Sequence, residues 1–218
     1  MIIIDCETTG VDPKISSIVS LGAVDFNNPS NTFYQECKVW EGAEVDPEAL
    51  AVNGFTSEQV TDPQKQSVEQ LAKNFLDWIS SVENHTMSGH NVWFDMGFLR
   101  DSIERAKIGG YELRTRFASR NIDLHSETYT NHLKRGIPIP LKNNRTNITS
   151  DYAFEYVGLP TEPKPHLALT GAKMEAEALS RLIYGKNLLP EFEQYPIPDF
   201  LIKWFFLNNP FSISCYTA

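Results

Sequence analysis

The sequence predicts an α/β chain, a mixed five-stranded sheet flanked by helices. Three observations predict it. Ile2-Ile3-Ile4 is an unbroken β-branched run, which suits a strand buried on both faces inside a covered sheet. Two further strand-like runs follow it directly, so that three strands succeed one another. Beyond residue 68, stretches of helical spacing alternate with short apolar runs, as in strands joined through helices.

The elements follow in order. Ile15 to Phe26 alternates and is rich in Val, Ile and Leu, and reads as the second strand. Asn27-Asn28-Pro29-Ser30-Asn31 is a turn, and Thr32 to Trp40 the third strand of a meander. Asp46-Pro47 opens a short helix that ends at Asn53-Gly54-Phe55. Val68, Leu71, Ala72, Phe75, Leu76, Ile79 and Val82 keep helical spacing, so one face of that helix is core. Thr86 to Gly89 is a short strand, and Asn91 is the expected N-cap of a helix carrying Phe94, Phe98, Leu99 and Ile103. Asn121 to Leu124 is a fifth strand, followed by a helix to about Arg135 that Gly136-Ile137-Pro138-Ile139-Pro140 breaks. Residues 150–157 and 167–184 read as two more helices. With no repeat and no internal linker, residues 1–185 form one expected domain and 186–218 a C-terminal extension.

Composition narrows the function. A run of about 18 apolar residues is absent, so no membrane contact is expected. The N-terminus enters a strand without a basic region, which predicts no signal peptide. Cys6, Cys37 and Cys215 make neither a disulfide framework nor a zinc pattern, and a reducing cytoplasm is the expected compartment. The formal net charge of −9 argues against a general nucleic-acid coat protein, though not against an enzyme that grips a strand end through metal ions.

The candidate chemistry begins at Asp5-Cys6-Glu7-Thr8-Thr9-Gly10. Side chains alternate along a strand, so Asp5 and Glu7 share a face and Cys6 takes the other. Two such carboxylates, ~7 Å apart at the end of a buried strand, repel each other and are costly to desolvate. A divalent cation would remove that cost; the alternative is a strand exit with both acids in water. Further on, His90-Asn91-Val92-Trp93-Phe94-Asp95 leads from a strand into a helix, with Asp95 in the first turn, where the helix dipole alone favours an acid by under ~1 kcal/mol. Lys164-Pro165-His166-Leu167-Ala168-Leu169 then opens the last long helix.

Together, Asp-x-Glu-Thr-Thr-Gly, His-Asn-x-x-Phe-Asp and His-x-Ala-Leu, in that order over residues 1–184, resemble the DEDDh-type 3′-5′ exonuclease family, the proofreading-exonuclease and ribonuclease T kind. Asn53-Gly54-Phe55-Thr56 also resembles a family segment. The resemblance implies a ribonuclease H-like sheet and hydrolysis of single-stranded DNA or RNA from the 3′ end with two Mg²⁺ or Mn²⁺ ions. It implies that Asp5 bridges the metals, Glu7 completes one site, and Asp95 supports the second largely through water. His166 is the implied general base, since an imidazole titrates near working pH. Thr8, Thr9 and Gly10 lie against the terminal nucleotide by the same resemblance, and Phe55 and Phe94 stack on bases; for both rings core packing is the alternative.

One departure stands out. The family carries an Asp as a direct metal ligand after His and four residues, and here that position is Gly171. Glycine offers no ligand, and inside a helix it costs about 1 kcal/mol against alanine. Glu175, one turn on, is the nearest substitute on that helix face. Two readings stay open: an exonuclease whose fourth acid is missing, naturally or by engineering, or a catalytically silent module that binds nucleic-acid ends. In the first, Gly171→Asp is expected to raise hydrolysis. Two features lie outside the motifs. Thr128 to Ser150 lacks acids while holding Lys134, Arg135, Lys142 and Arg145, a candidate strand-guiding patch or a solvated loop. Phe200 to Leu207 is too apolar for a free tail, and packs on its own domain or forms a homodimer or other partner contact.

Overall fold

The structure is a computed structural model describing residues 1–108 and 120–202. Cys215 and residues 203–207 of the apolar tail lie outside the described residues, as does any dimer contact they make. The chain divides into two compact units, Met1–Asp123 with Glu162–Lys173, and Leu124–Thr161 with the chain from Met174 onward.

The first unit is built on a five-stranded sheet of β1 (Ile2–Thr8), β2 (Ile18–Asp25), β3 (Thr32–Glu36), β4 (Met87–Gly89) and β5 (Asn121–Asp123). Its order is β3-β2-β1-β4-β5, with β1–β2 and β2–β3 antiparallel and β1–β4 and β4–β5 parallel, which is the predicted mixed sheet. The isoleucine strand is central and buried. Ile2, Ile4 and Cys6 face the main core, where α3 (Val68–Ile79) contributes Leu71, Phe75 and Ile79, and α4 (Trp93–Arg105) contributes Met96, Phe98 and Leu99. Each such side chain contributes roughly 1.5–3 kcal/mol by leaving water. The smaller helices α1 (Pro47–Asn53) and α2 (Ser57–Thr61) hold a satellite core of Val19, Leu50 and Val60. α1 starts where the sequence predicts, capped by Asp46 Oδ1 on Glu48 N at 2.8 Å, and stops at Gly54, whose φ of 75° favours glycine.

Three local expectations are corrected. β3 stops at Glu36 rather than Trp40, because Lys38 N and Val39 N turn to the Gln66 and Val60 carbonyls. The helix of 57–61 is additional to those the sequence pattern predicts; Thr56 and Gln59 close a capping box there. Asn91 does not cap α4: it sits at φ 58°, Val92 is the N-cap, and the Val92 N–H is taken by Asp123 Oδ2 at 3.0 Å from β5.

The second unit contains α5 (Leu124–Arg135), α6 (Ser150–Tyr156) and most of α7 (Ala168–Tyr184). Leu141–Lys142 and Arg145–Thr146 form a two-residue hairpin, β6 and β7, turned by Asn143 and Asn144 at φ 52° and 58°. Arg181 on α7 is fully buried. Its Nε donates to Glu177 Oε1 at 2.8 Å, and its terminal nitrogens donate to the carbonyls of Val157, Phe192 and Tyr195, each at 3.0 Å. Glu177 Oε2 in turn accepts from Leu188 N and Leu189 N. This one ion pair ties residues 188–195 of the extension to α7. Among the described residues, no helix is long and apolar enough to cross a membrane.

Candidate active site

Alternation along β1 turns Cys6 into the core and leaves Asp5 and Glu7 on the opposite face, where β2 sets Gly22 across from Asp5 and Ser20 across from Glu7. The start of α7 lies on this face at Gly22. A β-carbon there would collide with the backbone of Ala168 and Leu169, so only glycine lets the helix come this close. The approach brings Gly171 over the Asp5 carboxylate. A β-carbon at 171 would overlap Asp5 Oδ2, stand 2.9 Å from Asp5 Cγ and lie 3.3 Å from Glu162 Oε1. The sequence offers no local structural reason for this glycine; in the structure the Asp5 carboxylate fills the space beside it.

Asp5, Glu7 and Glu162 each present an oxygen within 4.8 Å of the other two. Glu162 comes from the loop between α6 and α7 and is not among the residues that the sequence motifs single out. Its segment, Thr161-Glu162-Pro163-Lys164-Pro165, reads as a proline-rich connection, and its one signal is an acid four positions before His166. Its Oε2 lies 3.6 Å from His166 Nδ1, with the Glu162 side chain 7% and the His166 side chain 26% exposed. The loop is docked on the end of α1: His166 N donates to Val52 O at 3.3 Å, and a β-carbon at Gly54 would press on Pro165. Asn53 Nδ2 donates to Thr8 O at 3.0 Å, which joins α1 back to β1.

Asp95 enters from α4. Its Oδ1 accepts from Cys6 N at 3.0 Å and from Cys6 Sγ at 3.1 Å. It is not one of the three acids that come together. Burial pushes its carboxyl up to about 7 against the pull of the Cys6 hydrogen bonds, and the Asp123 charge adds to the rise. Burial likewise pushes Glu7 up to about 7, helped by the charges of Glu162 and Asp95. The Cys6 thiol is driven well above its ordinary value by burial and by the acids around it, so it stays protonated.

The residues expected to line the substrate are placed as follows. Thr8 Oγ1 donates to Gly10 O, and Thr9 Oγ1 donates to Glu44 O, both at 2.7 Å, while Thr9 Oγ1 accepts from Ser17 N at 2.9 Å. These hydroxyls therefore shape the exit of β1. Phe55 packs on the satellite core with Lys65 Nζ 4.9 Å above its ring, and Phe94 packs on the main core 5.0 Å from Phe98. Glu175 is buried on α7 in the second unit.

Oxygen-only donors from three carboxylates favour a hard divalent cation over zinc. A family model described as "Exonuclease" matches residues 2–179. Over 115 residues the chain is 33% identical to the DNA polymerase III subunit epsilon of Pasteurella multocida, covering 49% of this chain and 43% of that one. It is 28% identical over 124 residues to ribonuclease T of Klebsiella pneumoniae, covering 49% of this chain and 55% of the relative. The matched stretch is 7% of a PolC-type DNA polymerase III from Thermotoga petrophila, so the chain covers well under two thirds of each of these relatives. Among solved structures, the nuclease domain of 3′hExo, a DEDDh family member bound to rAMP, superposes with a TM-score of 0.65 at 18% identity, covering 91% of this chain and 95% of that one. Exonuclease I of E. coli in complex with a dA16 oligonucleotide gives 0.65 at 16% identity, covering 94% of this chain and 42% of the other. The shared fold is the ribonuclease H-like sheet of DEDDh exonucleases.

Proposed function

This chain belongs to the exonuclease family, whose members use divalent metal ions, and we propose that it hydrolyses single-stranded DNA or RNA from the 3′ end with two Mg²⁺ or Mn²⁺ ions. The observation that carries the reading is the convergence of Asp5 and Glu7 with a third carboxylate, 3.6 Å from which stands the His166 imidazole. Asp5 and Glu7 would hold the cations, with Asp95 in support of the second. Bound there, such ions supply positive charge to the attacking and leaving oxygens of a phosphodiester.

The remaining steps belong to the protein's own groups. His166 takes a proton from the attacking water as that oxygen bonds to phosphorus and the bridging 3′ oxygen leaves. Its Nδ1 faces Glu162, which favours the imidazolium that forms. The backbone of Thr8, Thr9 and Gly10 flanks the terminal nucleotide, fixed by the hydroxyl contacts that shape it. Stacking on Phe55 and Phe94 would add about 1–3 kcal/mol per base. Lys142 and Arg145, paired across the exposed hairpin, contact phosphates of the strand. The cytoplasm is the proposed compartment, in keeping with the free, buried Cys6 and Cys37.

The test is release of 3′ nucleotides from labelled single-stranded DNA and RNA in Mg²⁺ or Mn²⁺, with a chelator as control. Metal-dependent release supports the reading. Binding of strand ends without release would instead favour the silent module, which the missing acid at Gly171 suggests.

A further inference from the structure

The geometry points to Glu162 as the third direct metal ligand, taking from the His166 loop the part that the family assigns to the acid at position 171; this rests on the exonuclease reading above. Three features support it. First, oxygens of Asp5, Glu7 and Glu162 lie within 4.8 Å of one another. Ligands on opposite sides of one cation, each at ~2.0–2.6 Å from it, stand about that far apart.

Second, Gly171 and Glu162 exclude one another's alternatives. The volume beside position 171 is filled by the Asp5 carboxylate, with Glu162 Oε1 at 3.3 Å from where a β-carbon would be. An acid on the helix and an acid from the loop would compete for that volume. This chain has glycine at 171 and a glutamate from the loop beside it.

Third, Glu162 is turned inward from an exposed loop. Thr161, Pro163, Lys164 and Pro165 are exposed or partly so, whereas the Glu162 side chain is 7% exposed. Withdrawing a carboxylate from water beside two others is costly, and a divalent cation among the three would offset that cost. Its Oε2 faces His166 Nδ1, so a single side chain would order both the cation and the general base.

The experiment measures Mn²⁺ binding to the full chain by calorimetry and Mn²⁺-induced change in Tm, beside nucleotide release. Glu162→Gln keeps the shape and removes the charge. It is expected to weaken Mn²⁺ binding at least about tenfold and to shrink the Tm rise, with the metal-free fold intact by circular dichroism. Glu162→Asp, which retains the charge on a shorter arm, is expected to bind better than Glu162→Gln. Asp5→Asn serves as the reference. If Asp5→Asn loses Mn²⁺ and Glu162→Gln binds it as tightly as the starting protein, Glu162 is no ligand and the inference falls while the exonuclease reading stands. If the starting protein itself neither binds Mn²⁺ nor releases nucleotides, the exonuclease reading falls and takes this inference with it.

Discussion

The Asp5 carboxylate occupies the space in which a β-carbon of residue 171 would stand, so any other residue at 171 obliges that carboxylate to shift. In an ordinary helix, Gly→Ala stabilises by roughly 0.5–1 kcal/mol. Here Gly171→Ala is expected to lower Tm, since overpacking costs about 1–3 kcal/mol, and to slow nucleotide release by about tenfold or more through displacement of Asp5. A higher Tm with an unchanged rate would show that Asp5 moves aside freely. Gly171→Asp meets the same obstruction and brings a further charge into the cluster. The gain in hydrolysis that the sequence suggests is therefore reversed: the single change is expected to reduce the rate. Combined with Glu162→Ala, which clears the competing carboxylate, it should recover part of what either change loses alone.

The raised carboxyls give the metal-free protein a definite pH dependence. Glu7 and Asp95 hold their protons to about pH 7 in the fold, against ordinary values of 4.5 and 3.8. Between those limits the folded state binds more protons than the unfolded one, so stability declines as pH rises. The contribution is full below about pH 4 and is lost through pH 7. Tm in a chelator should fall across that window. With Mn²⁺ present the decline should flatten or invert, because cation binding requires the ionised acids. A flat metal-free profile would mean that the two acids ionise at ordinary pH inside the fold.

Arg181 and Glu177 bury a charge pair whose hydrogen bonds reach residues 157, 188, 189, 192 and 195 in addition to the bond between them. Arg181→Met strands the glutamate and three carbonyls. A loss of about 3–5 kcal/mol is expected, as for other broken buried pairs. Amide exchange at Leu188 and Leu189 should accelerate first. Unchanged protection there would mean that the extension is held by its apolar packing alone.

Lys142 and Arg145 stand opposite each other on an exposed two-residue hairpin, whereas Arg135 is engaged with Asn131 at 2.7 Å and with the Phe200 ring. Replacing both hairpin residues with alanine should reduce the salt slope of single-strand binding by roughly 0.7 for each phosphate that is no longer neutralised. An unaltered slope would return the hairpin to plain solvated surface.

Much of this is legible in the sequence because it is local. Triple isoleucine, the 3.6-residue spacing of 68–79 and the Asp46-Pro47 cap each carry their structure in a few neighbouring residues. The shared face of Asp5 and Glu7 follows from strand alternation alone. What escapes a sequence reading depends on distant partners. Val92, the N-cap of α4, gives its N–H to Asp123 of β5, and no pattern near Asn91 reports that. Glu162 lies in a stretch without periodicity, and it meets Asp5 and Glu7, more than 150 positions earlier, because its loop docks on α1. The Asn143-Asn144 hairpin is of a different kind: two asparagines are a local turn signal, but its strands are too short to show any alternation.

The docking of the His166 loop on α1 has a consequence for how the site responds to disturbance. Glu162 and His166 ride on one short segment that is anchored through Val52 and Pro165, and α1 is moored to β1 through Asn53. With the parts proposed for Glu162 and His166, cation affinity and proton acceptance would be thermodynamically coupled, since lifting the segment would withdraw both groups at once. A cation seated at one end would favour the docked segment and with it the placement of the proposed base at the other. A lesion at Asn53, remote in sequence from either group, would then depress both properties in the same proportion, as a change in docked fraction instead of a change in either group's intrinsic chemistry.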